Sequence, residues 1–310
     1  MKWISLNNEY IRGQAFNEGF CRLPKDAYVN ENVNNLKFHP AGLNISFVTN
    51  SKQISLKAKL AGGVYMSHMT GTGQVGFDIY FKHDGKFIYG ASTKTSMAEY
   101  EALLLSNLDG NNREYRIYFP LYQKLLEAYV GIDDDAALEF TKQKQERLVI
   151  YGTSITQGGC ASRPGMAYPS ILDRNIDLEV INLGFSGSAH MEDEIITYLN
   201  SIDCKYLLIT TEANNTYEHM EERLATFLSK LNHKDIYLMS RFPNQLTLLD
   251  DNIKNTYLKN QKLQKNMPNV TYIDGWKMLE NLDYDFSVDG VHLTDLGFYY
   301  VAKELEKYFK

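Results

Sequence analysis

Residues 148–159 read LVIYGTSITQGG, an apolar run that passes directly into a glycine-rich turn. The apolar run predicts a buried strand, and the glycines permit a tight turn that leads from this strand into a helix. Ser154 lies just past the predicted strand. Functional groups in an open parallel sheet gather at the carboxyl ends of its strands, so Ser154 stands where chemistry is expected.

The pattern of strand, loop and helix continues from this stretch to the C-terminus. Apolar runs predict strands at residues 148–151, 179–183, 206–210, 236–239 and 270–273. Helical periodicity is present in the intervals, at residues 167–174, 192–199, 218–231 and 253–265, and in a terminal helix that begins at 294. Strands that alternate with helices in this way favour an α/β domain, a flavodoxin-like doubly wound five-stranded parallel sheet.

The N-terminal half has a different sequence pattern, in which short predicted strands are separated by residues typical of turns. Strands are predicted at residues 43–49, 54–58, 77–81, 86–89, 100–105, 114–119 and 125–132. The turns His83-Asp84-Gly85 and Asp109-Gly110 each predict a hairpin, the second of which would join 100–105 to 114–119. This spacing indicates an antiparallel, jelly-roll-like β-sandwich. We place the two domains at residues 1–140 and 141–310, with the join in the polar stretch 135–146.

Composition excludes several classes of protein. The net charge of −6, with no basic stretch, argues against a nucleic-acid surface. No apolar run approaches the roughly 20 residues that span a bilayer, so we expect no membrane partner. The N-terminus turns polar too early for a signal peptide, and the three cysteines (Cys21, Cys160 and Cys204) suit free thiols, which together predict a cytoplasmic protein. The histidines lack metal-ligand spacing, so neither a metal nor a cofactor is expected.

A second informative motif lies near the C-terminus, at Asp289-Gly290-Val291-His292. A serine on a glycine-rich turn, together with a distant aspartate and histidine, is the set of groups that nucleophilic acyl transfer needs. His292 would be the base and Asp289 would orient its imidazole, although Asp289 could instead be an ordinary turn former. Ser154 could alternatively belong to a phosphate-binding loop, but a Walker loop is excluded because Cys160 follows Gly159.

Two further segments follow predicted strands at the same edge of the sheet, residues 182–188 and 212–215. Acyl transfer needs hydrogen-bond donors that point at the oxyanion of the tetrahedral intermediate. The backbone N–H of Gly187 and the side-chain amide of Asn214 could join the N–H of Ser154 in this role. Either segment alone would more often be a plain loop.

This order of motifs resembles the SGNH (GDSL-like) hydrolase superfamily. Its first block is matched by residues 152–159, the glycine of its second block by Gly187, and its last block by residues 289–292. The third block, residues 212–215, keeps its asparagine at Asn214 but has lost the usual glycine and aspartate. Residues 76–80 resemble the Gly-x-Asp-Leu-Tyr motif of a β-sandwich module that precedes one branch of this superfamily.

The resemblance implies a serine esterase that hydrolyses short, acetyl-type esters of a sugar-like or other small hydroxylated substrate through an acyl-enzyme on Ser154. An acyltransferase that uses the same acyl-enzyme is the alternative, and a non-catalytic glycan-binding protein is a third reading. The expected partner is thus a small-molecule ester, with carbohydrates among the candidates. The sequence leaves the oligomeric state open.

Three other residues are candidates for substrate binding. His68 and Asp78 could border the active site from the first domain, which would then wall one side of the pocket rather than act as a tethered module. Arg163 could bind an anionic group or a sugar hydroxyl, or it could pair with a carboxylate across its loop. Cys160 is interpreted as a spectator thiol because no base is close to it in the sequence.

Overall fold

A computed structural model describes residues 1–309 of the chain. Its N-terminal half is mostly strands, with two short helices: β1 (Lys2–Ser5), β2 (Ile11–Arg12), α1 (Glu31–Leu36), β3 (Asn44–Thr49), β4 (Ile54–Leu60), α2 (Gly71–Gln74), β5 (Asp78–His83), β6 (Lys86–Ser92), β7 (Glu99–Leu105), β8 (Arg113–Tyr118), β9 (Leu125–Ile132) and β10 (Leu138–Phe140). Its C-terminal half alternates strands with helices: β11 (Arg147–Gly152), α3 (Ser154–Gln157), α4 (Tyr168–Asn175), β12 (Glu179–Gly184), α5 (Asp193–Ser201), β13 (Tyr206–Thr210), α6 (Tyr217–Ser229), β14 (Ile236–Met239), α7 (Asp251–Lys265), β15 (Thr271–Ile273), α8 (Gly275–Leu279) and α9 (Asp295–Leu305).

The C-terminal strands form one parallel sheet in the order β12-β11-β13-β14-β15. This is the flavodoxin-like order, and it confirms the fold class predicted from the sequence. Alternate residues of β11 face opposite sides of the sheet: Leu148 and Ile150 pack with α4 and α9, whereas Val149 and Tyr151 pack with α5 and α6. Because both faces are covered, the strand is apolar throughout, which is why its sequence could be recognised.

The N-terminal strands form two antiparallel sheets, β1-β9-β4-β7 and β10-β3-β8-β5-β6, with β2 paired to β3. Side chains from both sheets share one core, which includes Ile45, Phe47, Leu56, Ile117 and Val130. The predicted β-sandwich is therefore confirmed. Over residues 1–309, no helix combines the length and the apolar character that a membrane crossing requires.

One predicted hairpin is confirmed and the other is wrong. β5 and β6 pair across Asp84-Gly85, and both residues have positive φ, 47° and 77°, as a two-residue type I′ turn requires. By contrast β7 pairs with β4, and β8 pairs with β3 and β5, so the loop that contains Asp109-Gly110 crosses from one sheet to the other. A turn motif shows that the chain bends, but it does not identify the partner of the strand that follows.

The N-terminal chain also contributes to the core of the parallel sheet. Apolar side chains of residues 23–36, among them Leu23, Val33 and Leu36, pack beneath β11 and β12 in the same cluster as Val149 and Ile181. Helix α1 begins at the N-cap Asn30, whose side chain accepts a hydrogen bond from the N–H of Val33. The hydrophobic core of the C-terminal half is therefore completed by residues near the start of the chain.

Two buried ion pairs connect the halves. Arg12 lies 2.7 Å from Glu179, with side chains 4% and 0% exposed, and Arg116 lies 2.6 Å from Asp173, with both 3% exposed. Breaking a buried ion pair leaves an uncompensated charge, so the arginines of the first half neutralise buried carboxylates of the second. The division of the chain at residues 140 and 141 stays a prediction.

Candidate active site

Ser154 occupies the first position of α3, directly after the turn that ends β11. The turn needs glycine at residue 152, because a Cβ there would lie 2.0 Å from the Thr210 hydroxyl oxygen and 2.3 Å from that of Thr156. At the other end of α3, Gly158 has φ 108°, a conformation that other residues rarely adopt. The two glycines therefore allow a sharp strand-to-helix turn that carries Ser154 at the edge of the sheet.

His292 and Asp289 reach the serine from the loop before α9. Nε2 of His292 lies 2.9 Å from Oγ of Ser154, and Nδ1 lies 2.7 Å from Oδ2 of Asp289. The other carboxylate oxygen, Oδ1, accepts the backbone N–H groups of Val291 (3.0 Å) and His292 (2.8 Å). The structure thus brings the three residues into one hydrogen-bonded line, although 138 positions separate Ser154 from His292.

The environment of Asp289 keeps its carboxyl group ionised. Partial burial works against the charged form, but hydrogen bonds from the backbone and ring of His292 and from the N–H of Val291 outweigh it and lower the pKa to about 2. An ionised Asp289 accepts the Nδ1–H of His292, so that Nε2 carries a lone pair toward the serine hydroxyl. This tautomer is the one that can take a proton from Ser154.

The ends of β11, β12 and β13 are level, since Gly152 pairs in register with Gly184 and with Thr210. Gly187, in the loop after β12, is exposed and has φ 64°. Asn214, in the loop after β13, donates one amide hydrogen to the carbonyl of Ser188 at 2.6 Å. Its second amide hydrogen remains available to a ligand. The structure brings both loops to the edge that carries Ser154; their role as oxyanion donors stays a prediction.

Asn215 has a different set of contacts from its neighbour. Its amide nitrogen donates to the carbonyls of Ala189 (3.0 Å) and Thr211 (2.6 Å), and its oxygen lies 3.2 Å from Nδ1 of His190. Both amide hydrogens and the oxygen are thus used inside the protein. Of the two asparagines, only Asn214 therefore has a side-chain amide hydrogen that is free to donate to a ligand.

Glu212 stands where the third sequence block usually has glycine. Its side chain is 2% exposed, and Oε2 accepts the backbone N–H of Arg241 (2.9 Å) and the amide of Gln264 (2.7 Å). Burial raises the pKa of this carboxyl group. Glu212 therefore links the end of β13 to the segment after β14 and to α7. Asn214, the last residue of the same 3₁₀ turn, is half-buried.

The three candidates for substrate binding are placed differently from one another. Asp78 is fully buried, where it accepts the backbone N–H of Gly165 (3.0 Å) and pairs with Arg163 (2.6 Å). The guanidinium of Arg163 also lies 3.9 Å from the ring centre of Tyr89. Arg163 thus pairs with a carboxylate, one of the two roles that the sequence left open. Contact of either residue with substrate stays a prediction.

His68 does lie beside the candidate base. Its ring centre is 5.9 Å from that of His292, and its side chain is exposed. Cys160 is also close, with Sγ 3.6 Å from the carbonyl oxygen of His68. Burial and the nearby charge of Asp289 raise the pKa of the Cys160 thiol to about 11, which favours a thiol without nucleophilic character.

These residues form a group that the sequence did not predict. Ligand atoms of His68, Cys160, Asp289 and His292 all lie within 4.8 Å of one another. They come from three separate segments, so no short spacing between histidines or cysteines could have indicated them. All four atom types can ligate a transition metal.

Two other supports of the site were missed. Gln157 is buried, and it donates to the carbonyl of Leu121 (3.0 Å) and accepts the N–H of Ser186 (2.9 Å). Tyr122 donates to the carbonyl of Ser154 at 3.4 Å. Gln157 lies inside the stretch that defines the serine turn, so its position was visible in the sequence. Tyr122 could be found only from the packing of the two halves.

An open pocket of about 590 Å³ with mixed polar and apolar walls lies next to Asn214. Its walls include Asn215, Tyr217, Arg241 and Tyr257. The guanidinium carbon of Arg241 is 4.3 Å from the ring centre of Tyr257. The pocket thus offers the amides of Asn214 and Asn252, the guanidinium of Arg241 and the ring of Tyr217 beside the candidate oxyanion donor, whereas Tyr257 is buried.

Comparison with known proteins identifies both halves of the chain. Residues 145–310 match the GDSL-like lipase/acylhydrolase family, and residues 1–138 match the GxDLY module, the N-terminus of SGNH-hydrolase-type esterases. These matches confirm the resemblance drawn from the sequence motifs. Among curated proteins, none matches this sequence.

Solved structures show the same architecture. A GDSL-like lipase from Bacteroides ovatus ATCC 8483 is 28% identical, with a TM-score of 0.91 over 99% of this chain and 96% of that one. A salicylyl-acyltransferase from a tetracycline biosynthetic pathway is 16% identical (TM-score 0.75, 99% and 96% covered). A family two carbohydrate esterase from Clostridium thermocellum is 12% identical (TM-score 0.59, 86% and 91% covered). At such low identity the last two indicate a shared fold alone.

Proposed function

This chain belongs to the GDSL-like lipase/acylhydrolase family, and we propose that it is a serine esterase that cleaves short acyl esters through an acyl-enzyme on Ser154. The observation that carries this proposal is the unbroken hydrogen-bonded line from Oγ of Ser154 through His292 to Asp289, with contacts of 2.9 and 2.7 Å. A nucleophile, a base and a group that orients the base are the three parts that acyl transfer requires.

The reaction has two halves. In the first, Oγ of Ser154 attacks the ester carbonyl carbon while Nε2 of His292 takes the hydroxyl proton, and the tetrahedral intermediate then breaks its bond to the alcohol, which leaves with that proton. In the second, water attacks the acyl-enzyme and gives a proton to Nε2. The bond to Oγ breaks, the acid is released, and the proton returns to Ser154.

A small cavity next to the serine turn supports a short acyl group. A mostly apolar cavity of about 20 Å³ lies against the residues on both sides of Ser154 and is lined by Ile155, Ala213, Met239 and Phe242. Such a volume suits a group about the size of one water molecule or one methyl group. We therefore favour acetyl esters over long-chain lipids.

The pocket beside Asn214 supports a small hydroxylated alcohol. The amides of Asn214 and Asn252 can donate to and accept from hydroxyl groups, and the ring of Tyr217 can pack against the apolar face of a sugar. A carbohydrate acetyl ester fits both the cavity and this pocket, and it is our first choice of substrate.

A panel of aryl and sugar esters with acyl chains of two to eight carbons tests the proposal. We expect kcat/KM to be highest for acetyl and to fall as the chain lengthens, with acetylated sugars preferred over simple alkyl acetates. Formation of a new ester that increases with the concentration of an added alcohol acceptor would instead indicate an acyltransferase. Binding of sugars with no turnover of any ester would indicate a glycan-binding protein.

A second prediction concerns the base. His292→Ala should remove nearly all turnover, and Asp289→Asn should impair it less, because an amide can still hold the ring. With a pKa of about 2, Asp289 stays ionised across the usual assay range. Any fall in kcat/KM on the acid side of that range would then come from a group other than Asp289. Full activity in His292→Ala would show that another group is the base.

A third prediction separates the two neighbouring asparagines. Asn214→Ala should lower kcat by roughly 10²–10³ with a small change in KM, because its free amide hydrogen would act mainly on the transition state. Asn215→Ala is the matched control: its amide is used inside the protein, so we expect a lower melting temperature and a smaller loss of kcat. The reverse order of kcat losses would move the oxyanion donor to Asn215.

A further inference from the structure

Four side chains around the candidate base combine the donor types of a transition-metal site. His68 comes from the irregular segment 61–70, Cys160 follows α3, and Asp289 and His292 belong to the loop before α9. One donor atom from each lies within 4.8 Å of the other three. From this convergence we infer that the protein binds one Zn²⁺ ion at these four residues, and that the bound ion inhibits it.

The chemistry of the donors selects the ion. A thiolate, two imidazoles and a carboxylate are the ligands of four-coordinate Zn²⁺, whereas Mg²⁺ and Ca²⁺ take all-oxygen sites. With bonds of about 2.0–2.3 Å, the donors of a tetrahedral site lie about 3.3–3.7 Å apart. The cluster must therefore contract by about 1 Å. Contraction is feasible because the His68 ring is exposed and its segment has no helix or strand.

The other three ligands are close together. Cys160 is 7% exposed, and its sulfur lies 3.6 Å from the carbonyl oxygen of His68. Asp289 and His292 are in mutual contact at 2.7 Å, so their donor atoms must separate by about 0.6–1 Å to reach the spacing of a tetrahedral site. Binding would release the S–H proton of Cys160 to solvent, and the step needs no oxidant or reductant.

The predicted inhibition follows from the nitrogen of His292 that the ion takes. Asp289 lies 2.7 Å from Nδ1, so an ion that binds both residues takes Nδ1. The hydrogen bond to Asp289 is then lost and the remaining ring proton is on Nε2, which can no longer accept from Ser154. In this state the imidazole cannot act as a base. This consequence rests on the proposed function, whereas the binding of the ion does not.

Direct binding can be measured without catalysis. Co²⁺, a spectroscopic substitute for Zn²⁺, should give the absorption of a cysteine-ligated, four-coordinate ion in the Ser154→Ala protein, saturate at one equivalent, and be displaced by Zn²⁺. Cys160→Ser should abolish the sulfur-to-metal band. Cys204→Ser is the matched control. Cys204 also contacts a histidine, with Sγ 3.4 Å from Nδ1 of His233, but it does not belong to the cluster of four possible ligands. The proposed site would be overturned if the sulfur-to-metal band were absent. It would also be overturned if Cys204→Ser removed the band and Cys160→Ser did not.

Inhibition is measured on the unaltered active site. Zn²⁺ should inhibit hydrolysis of an acetyl ester by the wild type, and EDTA should restore it. Cys160→Ser should keep its basal kcat/KM and need at least about ten-fold more Zn²⁺ for half inhibition, since loss of one ligand weakens the site. Equal inhibition of wild type and Cys160→Ser would overturn the inference. A protein that binds Co²⁺ through Cys160 but hydrolyses no ester would keep the metal site and refute the proposed function; active protein without the band would do the opposite.

Discussion

Replacing Ser154 with alanine should lower kcat for an acetyl ester by about 10⁵-fold or more while KM changes little. The hydroxyl is the only part of the hydrogen-bonded line that can form a bond to the acyl carbon. Its removal takes away one contact of 2.9 Å with His292 and leaves the packing of α3 intact. Initial rates on the acetyl ester, together with melting curves of both proteins, measure the effect.

Ser170→Ala is the matched control for this substitution. Ser170 is also a buried serine, 1% exposed, and its hydroxyl has no hydrogen-bond partner among the described residues. We expect it to keep wild-type kcat and to react fully with a fluorophosphonate, while Ser154→Ala does not react. Stoichiometric labelling of a different serine in the wild type would show that Ser154 is not the nucleophile.

A chain that begins at residue 136 should fail to fold as a soluble monomer. It lacks Leu23, Val33 and Leu36, which cover one face of β11 and β12. It also leaves the buried carboxylates of Glu179 and Asp173 without Arg12 and Arg116. Loss of one partner from a buried pair costs about 3–5 kcal/mol, and a domain has only about 5–15 kcal/mol of stability.

Size-exclusion chromatography and circular dichroism of residues 136–310 measure this effect. Supplying residues 1–135 as a second chain is the control, and it should recover soluble, active protein because it restores the missing face and both arginines. If the fragment alone is soluble and keeps wild-type kcat/KM on small and bulky esters, the sandwich neither completes the core nor shapes the pocket. If the fragment loses activity on the bulky ester alone, the result would favour a substrate pocket with one wall formed by the segment that contains His68.

The sequence predicted the parallel sheet closely because each of its strands is covered on both faces. The run at Leu148, Val149 and Ile150 is apolar without interruption, and only a fully buried strand needs that. The serine turn was predictable for a related reason, since Gly152 has no room for a side chain. In both places the physical constraint acts on residues that are adjacent in the chain, so the local sequence shows it directly.

Contacts between distant segments could not be predicted in this way. Helix α1 has six residues, too few for a helical period to appear, and its apolar residues pack on the parallel sheet rather than on the sandwich. The pair of Asp78 and Arg163 joins residues 85 positions apart. The approach of His68 to His292 likewise depends on the packing of the two halves. In each case the sequence around one residue of the pair gives no indication of the residue that it contacts.

The packing of residues 23–36 beneath β11 has a consequence for synthesis on the ribosome. Leu36 is made about 110 residues before Val149, so at about 5–20 residues per second it waits roughly 5–20 s for its partner strand. During this interval the sandwich can pair its strands, while the apolar side chains of residues 23–36 remain uncovered. The nascent chain thus has a defined period in which a chaperone is most useful, and it ends when β11 and β12 have emerged from the exit tunnel.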